Sequence, residues 1–246
     1  MSQDEGRVAL VTGASRNIGR AIAEELAGQG IDIIVHVGRD QAAGKETAAA
    51  VRRHGRQATL VEGDLADPAE PGRLIAEAAA IHGRLDILVN NAAIRPEAAL
   101  AEIDYAEWRR VMAILLDAPF LLSQAAQPWL AASPMASIVN IGGLTAHTGA
   151  PHRAHVVSAK AGLVGLTRAL AHELSPKGIT VNCVAPGLID TMRSGQAPAH
   201  HETRRNLVGR CGRAEDVAAA VAWLCAPASR YVTGQVLHVN GGTYLQ

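Results

Sequence analysis

Residues 8–26 read VALVTGASRNIGRAIAEEL, a β-branched run that passes through a glycine turn into a helical period. A strand that feeds a helix in this way cannot pair with its successor as a hairpin. The next strand must lie parallel to it, reached by a crossover. The same alternation continues along the chain. Segments 7–12, 31–37, 58–62, 85–89, 137–141, 179–184 and 235–239 read as strands. Helical periods start near Ile18 and cover 41–54, 68–82, 104–131, 153–174 and 214–225. Continuous apolar strands separated by helices imply a parallel sheet covered on both faces. Right-handed crossovers then give an α/β, doubly wound, Rossmann-like sheet of about seven strands.

A chain of 246 residues suits a single domain over 1–246. Aromatics supply only 3% of it, so the core must come from Ala, Val, Ile and Leu. Lys+Arg and Asp+Glu each number 23, so no net field draws the protein to nucleic acid or an anionic membrane. No run of eighteen apolar residues and no apolar leader is present, which argues against membrane spanning and secretion. Cys183, Cys211 and Cys225 have no metal-ligand spacing and read as buried, reduced thiols of a cytoplasmic protein. The least regular stretch, 191–207, holds Gly195, Pro198, His200 and His201 and is expected to form a lid over the carboxyl ends of the strands.

Within the first turn, Gly13 permits a tight bend and Gly19 lets the helix approach the strand. Backbone N–H groups at the helix start then face an anionic pyrophosphate. Further blocks follow in order: GDL at 63–65, LVNNAAI at 88–94, SAKAGLVGLTRALAHEL at 158–174, ITVNCVAPGLIDT at 179–191 and TGQVLHVNGG at 233–242. With TGASRNIG at 12–19, these blocks resemble the short-chain dehydrogenase/reductase family, particularly its acyl-carrier-protein ketoreductase-like members, over nearly the whole length.

The resemblance implies residue roles. Gly13, Ser15, Arg16, Asn17, Ile18 and Gly19 would meet the cofactor phosphates and ribose. Asp64 and Leu65 would flank the adenine, and Asn91 with Ala92 would border the ribose. Pro186, Gly187, Ile189 and Thr191 would hold the nicotinamide carboxamide, and Lys160 the nicotinamide ribose hydroxyls. Asn17 replaces a glycine of the family turn, which Asn tolerates because it visits left-handed geometry more readily than most residues. Ala93 replaces the glycine that usually ends NNAG. At the end of the second strand, Val37 and Gly38 stand where an acidic residue would select NAD, with Arg39 next and Arg16 in the glycine turn. Two guanidiniums and no carboxylate favour NADP over NAD, although Arg39 also reads as an ordinary solvated side chain.

The family's carbonyl reduction, as the resemblance implies, needs a tyrosine to protonate the nascent alkoxide. It also needs a lysine four residues on, a serine against the carbonyl and an asparagine that holds a relay water. Here Val156, Gly143 and Leu115 occupy the tyrosine, serine and asparagine places; Lys160 alone remains. None of the three can donate a proton. Candidates to replace the acid are His147 and His152 in the loop after the fifth strand, and His155 beside Val156. His155 reads equally as a packed helix histidine, since one residue turns it about 100° from Val156. Thr145 and Ser158 carry the nearest hydroxyls.

Three functions stay open: an NADP-dependent oxidoreductase with a rearranged acid, a non-catalytic cofactor-binding or regulatory subunit, and a lyase, isomerase or hydrolase reusing the pocket. The resemblance also implies a homo-oligomer, most simply a tetramer, packed through 214–242. Apolar residues on most faces of 153–174 agree with a buried contact.

Overall fold

The computed structural model describes residues 6–191 and 206–245. Almost all of the expected lid, including Gly195, Pro198, His200 and His201, lies outside the described residues. Seven strands form one parallel sheet in the order β3-β2-β1-β4-β5-β6-β7. They are β1 Val8–Val11, β2 Asp32–Val37, β3 Ala58–Glu62, β4 Ile87–Asn90, β5 Ser137–Ile141, β6 Thr180–Pro186 and β7 Val236–Val239. The connecting helices are α1 Asn17–Gly28, α2 Gln41–Arg53, α3 Glu70–His82, α4 Tyr105–Met112, α5 Ala118–Ala131, the short α6 Thr145–Thr148, α7 Ala154–Leu174 and α8 Ala214–Leu224.

Strand residues alternate between two cores, as the period-two geometry of a strand requires. Ala9 and Val11 face Ile22, Leu26, Val51 and Val221, so α1, α2 and α8 cover one side. Val8 and Leu10 face Leu74, Leu122, Leu130 and Leu174, so α3, α5 and α7 cover the other. Both faces are covered, which explains why the strands carry no polar-outward alternation. Among the described residues, no helix is long and apolar enough to cross a membrane.

Two sequence expectations need correction. The helix expected over 104–131 is interrupted by a π-helical turn at Ala113–Asp117. Pro119 has no N–H to return to the Leu115 carbonyl, so the ordinary i,i+4 bond cannot form there and the turn widens. Cys211 is exposed, unlike the buried Cys183 and Cys225, because it sits in the loop before α8 rather than within an apolar run; all three are free thiols. Burial pushes the Cys183 thiol up to about 11 and the Cys225 thiol up to about 12, so neither ionises near neutrality.

Candidate functional site

The strand order reverses at β1, whose two neighbours are β2 and β4. Crossovers leave this point in opposite directions and open a crevice at the carboxyl ends of the strands. A cleft of about 830 Å³ lies there, walled by the glycine turn, the ends of β2 to β6 and the first half of α7. Its size suits an extended organic ligand.

The glycine turn is held by its neighbours. Gly13 has φ +61°, and an added Cβ would stand 2.8 Å from the Ala92 Cα. A Cβ on Gly19 would come within 2.3 Å of the Gly13 carbonyl oxygen and 2.5 Å of Asn91 Nδ2. Asn17 does adopt the left-handed region, with φ +52°. Thr12 Oγ1 accepts from the N–H groups of Asn91 (2.9 Å) and Ala92 (3.0 Å), while Asn91 Nδ2 donates to Thr12 O at 2.8 Å and Gly13 O at 3.1 Å. The Asn91 amide therefore clamps β1 to β4.

His36 supplies a second brace that the sequence reading missed. Gly13 N–H donates to its Nδ1 (3.2 Å), so the ring proton sits on Nε2, which donates to Gly63 O at 3.1 Å. One imidazole thereby ties the turn to the end of β3. Burial is the main cause holding the His36 pKa below its ordinary value of 6.5, against an opposing bond to Gly63 O. The folded state thus favours the neutral ring. Its stability contribution is complete above the unfolded value and drains as pH falls toward the depressed folded one. His82 and His147 are depressed in the same direction, so the share of His36 must be read by difference. Wild type should lose more melting temperature than His36→Gln between about pH 7.5 and about pH 5. Equal losses in a thermal melt would remove His36 as the titrating brace.

At one end of the cleft stand Ser15, Arg16, Gly38, Arg39, Asp64 and Leu65. The Arg39 side chain is 81% exposed and lies 3.6 Å from the Asp64 carboxylate. Asp40 also lines this end, with Oδ1 taking the Ala43 N–H as the α2 N-cap. Asp40 thus joins Asp64, already expected beside the adenine, at an end where the sequence reading weighed only the two guanidiniums for cofactor choice. Asp64 is paired with a guanidinium and Asp40 caps a helix.

The opposite end holds Lys160, Val156, Gly143, Ile141 and Ile189, with Pro186, Gly187 and Ala92 between the two ends. Val156 belongs to an apolar cluster with Val111, Ile114, Leu115 and Ala159, in which Leu115 is fully buried. Val156 and Leu115, expected from the resemblance to stand at the tyrosine and asparagine places, thus share one apolar cluster. Gly143 is different. A Cβ there would meet nothing within 4 Å, and its φ is outside the left-handed region. Lys160 Nζ is buried and donates to Ile141 O. Burial lowers its pKa to about 8, with Arg95 adding to the drop and Cys183 opposing it.

The proposed replacement acids do not line this cleft. His147 stacks against Tyr244 (5.7 Å between centroids) and meets His238 edge-on at 4.6 Å. His152 is exposed at φ +58°, and its carbonyl accepts from Ala98 N–H. His155 is fully buried with Nε2 3.2 Å from Glu107 Oε1, as the packed reading of that residue expects. Thr145 does line the cleft and Ser158 does not; Thr191 is outside the lining, at the edge of the described residues. Arg95, Glu97, Arg110 and Arg153 are lining residues that sequence reasoning passed over.

A family model described as Enoyl-(Acyl carrier protein) reductase matches residues 13–244. The chain belongs to the short-chain dehydrogenase/reductase family. The 3-oxoacyl-[acyl-carrier-protein] reductase of Salmonella typhimurium is 37% identical, with 98% of each chain covered. Its Staphylococcus aureus counterpart is 35% identical over 96% of this chain and 98% of that one. Among solved structures, a short-chain dehydrogenase from Burkholderia cenocepacia in complex with NADP superposes with a TM-score of 0.93 at 34% identity, covering 98% and 99% of the two chains. A blue fluorescent protein from a metagenomic library, in complex with NADPH, gives 0.90 at 37% identity, covering 99% and 100%.

Proposed function

We propose that this short-chain dehydrogenase/reductase binds NADP(H) along the cleft but lacks the proton-donating set for the ordinary carbonyl reduction of its family. The fit to the cofactor rests on the cradle. The Gly13 turn is braced from Asn91 and His36, Gly38 leaves open space at its Cβ position, and Arg16 and Arg39 stand at one end. Thr191 Oγ1 is buried without a partner among the described residues, beside the Ile189 wall. In this reading Gly13, Ser15, Arg16, Asn17, Ile18 and Gly19 meet phosphates and ribose, and Arg39 favours the 2′-phosphate. Asp64 and Leu65 flank the adenine, Asn91 and Ala92 border the ribose, and Pro186, Gly187, Ile189 and Thr191 hold the carboxamide. Lys160 orients the nicotinamide ribose. When bound, NADP supplies a hydride donor or acceptor.

The observation that carries the proposal is Val156, packed among Val111, Ile114, Leu115 and Ala159 on the same wall as Lys160. General-acid catalysis contributes about 10²–10⁴ and a preorganised oxyanion donor about 10²–10³. Losing both leaves carbonyl reduction far below the family rate. A second reading has one observation in its favour: the Lys160 ammonium, with a pKa of about 8, is itself an acid matched to neutral pH. Slow turnover through Lys160 would then persist.

Fluorescence titration with NADPH and NADH tests the first half. NADPH should saturate the protein at least about tenfold more tightly than NADH, and absence of saturable binding by either sinks the proposal. A carbonyl panel tests the second half, where turnover in the ordinary enzyme range of about 1–10³ s⁻¹ would contradict it. Arrangement as a cytoplasmic homotetramer belongs to the same reading. It is supported by the edge position of β7, whose residues are all half-buried, and by Trp223 and Tyr231 standing exposed nearby.

A further inference from the structure

We propose that His36 is a positioning residue for the cofactor: its neutral imidazole sets the glycine turn for binding, and protonation loosens that turn. This role rests on the cofactor reading above and adds a proton to it. His36 lines the cleft from β2. Its Nδ1 accepts the Gly13 N–H at 3.2 Å, and its Nε2 donates to Gly63 O at 3.1 Å. These contacts join the two segments proposed to hold the cofactor's adenosine half. Gly13 opens the turn at 13–19, and Gly63 leads into Asp64 and Leu65 on the cleft wall. The pattern demands one acceptor and one donor on the ring, which only the neutral Nε2–H tautomer supplies. Protonation puts a hydrogen on Nδ1 as well, so two N–H donors would face each other across 3.2 Å. His36 is 2% exposed, so water cannot easily stand between them. β2 is paired on both sides, with β1 and β3, and the displacement therefore falls on the turn.

Val35 and Val37 belong to the α1 side of the sheet, which places His36 on the side that α3 covers. The charged groups acting on the ring from α3 are Glu70 and Arg73, paired with one another at 2.6 Å. Arg16 of the turn, Arg39 after β2 and Asp64 after β3 stand at the same end of the cleft. Glu62 on β3 is held by Gln41. Burial outweighs the Gly63 bond and Glu70 and keeps the ring's pKa below 6.5, with Arg73 adding to the drop. A turn closed on the cofactor needs the neutral tautomer, so binding lowers that pKa further. Affinity is then complete where the free ring is neutral, and it falls as pH drops through the depressed value. Two backbone bonds survive protonation: Ala14 N–H to His36 O at 2.9 Å and Gly63 N–H to Val37 O at 3.1 Å. The turn therefore loosens without opening, and the loss of affinity is several-fold rather than total.

The test is calorimetric titration of the full-length protein with NADP at about pH 8 and about pH 5. The 2′-phosphate itself titrates near about pH 6, so the effect is read as a difference between proteins. His36→Asn carries an amide oxygen at the place of Nδ1 and no titrating group. On acidification, wild type should lose about fivefold more affinity than His36→Asn loses. His36→Leu offers Gly13 no acceptor and should bind about tenfold more weakly than His36→Asn at about pH 8. Thermal melts at both pH values establish that each protein is folded. Equal acid losses in wild type and His36→Asn overturn the inference. A smaller loss in wild type also overturns it, because the charged ring would then serve the cofactor phosphates directly. Should His36→Asn not fold, titration of wild type with NAD, which has no 2′-phosphate, decides at about pH 6. Proton release on binding, read from two buffers of different ionisation enthalpy, supports the inference; proton uptake, or none, overturns it. Failure of NADP to bind even at about pH 8 removes the cofactor reading and this inference together, whereas binding without the pH difference removes this one alone.

Discussion

Val156→Tyr combined with Gly143→Ser should raise NADPH-dependent reduction of a simple ketone by about 10²–10³ over wild type. Three observations argue for so large a gain. Residue 156 lies one helical turn before Lys160 on α7, and both line the cleft, so a phenol there reaches the space that the buried ammonium already faces. A serine Cβ at 143 meets nothing within 4 Å and needs no left-handed backbone. The Lys160 charge would lower the pKa of the phenol, as the catalysis requires. The cost is local. Val156 is 3% exposed, so a ring forced into the Leu115 cluster would overpack it by about 1–3 kcal/mol; only the rotamer directed into the cleft avoids this. Leu115 still supplies no relay amide, which keeps the gain below full restoration. Initial rates should rise while NADPH affinity stays within a few-fold. If the double variant melts near wild type, binds NADPH and gains no rate, the missing phenol is not what limits this site.

Gly19→Ala should abolish NADPH binding within a practical titration, a loss above about 100-fold, and lower the melting temperature. The added methyl carbon would stand 2.3 Å from Gly13 O, 2.5 Å from Asn91 Nδ2 and 3.0 Å from Ala14 Cα. Two of these are backbone atoms. The third belongs to an amide already held by Thr12 O and Gly13 O, so no flexible tip can give way. The turn must move, and with it the N–H groups proposed to meet the pyrophosphate. Gly165→Ala is the matched control. Its Cβ meets nothing within 4 Å on α7, so it should stabilise by about 0.4–1 kcal/mol and leave binding untouched. Wild-type NADPH affinity in Gly19→Ala would dismantle the account of the cradle.

The geometry of the glycine turn was legible because it is written in one contiguous block. Gly13, Gly19 and Asn17 lie within one turn, and the left-handed Asn17 was foreseeable from its place in a glycine position. Val156 and Lys160 are one helical turn apart, so their relation follows from periodicity. His36 escaped notice because a histidine inside an apolar strand reads as ordinary core. Its role depends on Gly13 and Gly63, which only the parallel pairing of β1, β2 and β3 brings beside it. The histidine candidates went the other way. His147 is drawn to His238 and Tyr244 and His155 to Glu107, partners too distant in sequence for any local pattern to supply.

By itself the sequence determined the α/β class, the parallel sheet, the glycine turn and the alkyl side chain at Val156, because each is encoded in spacing over a few residues or in a residue's own chemistry. Tertiary structure alone decided what surrounds Val156 and Lys160: alkyl groups packed with Val156, open space at Gly143, and Arg95 near enough to act on the Lys160 ammonium. Those neighbours come from α4, the π-helical turn and the loops after β4 and β5, and they meet only after crossovers have folded dozens of intervening residues out of the way.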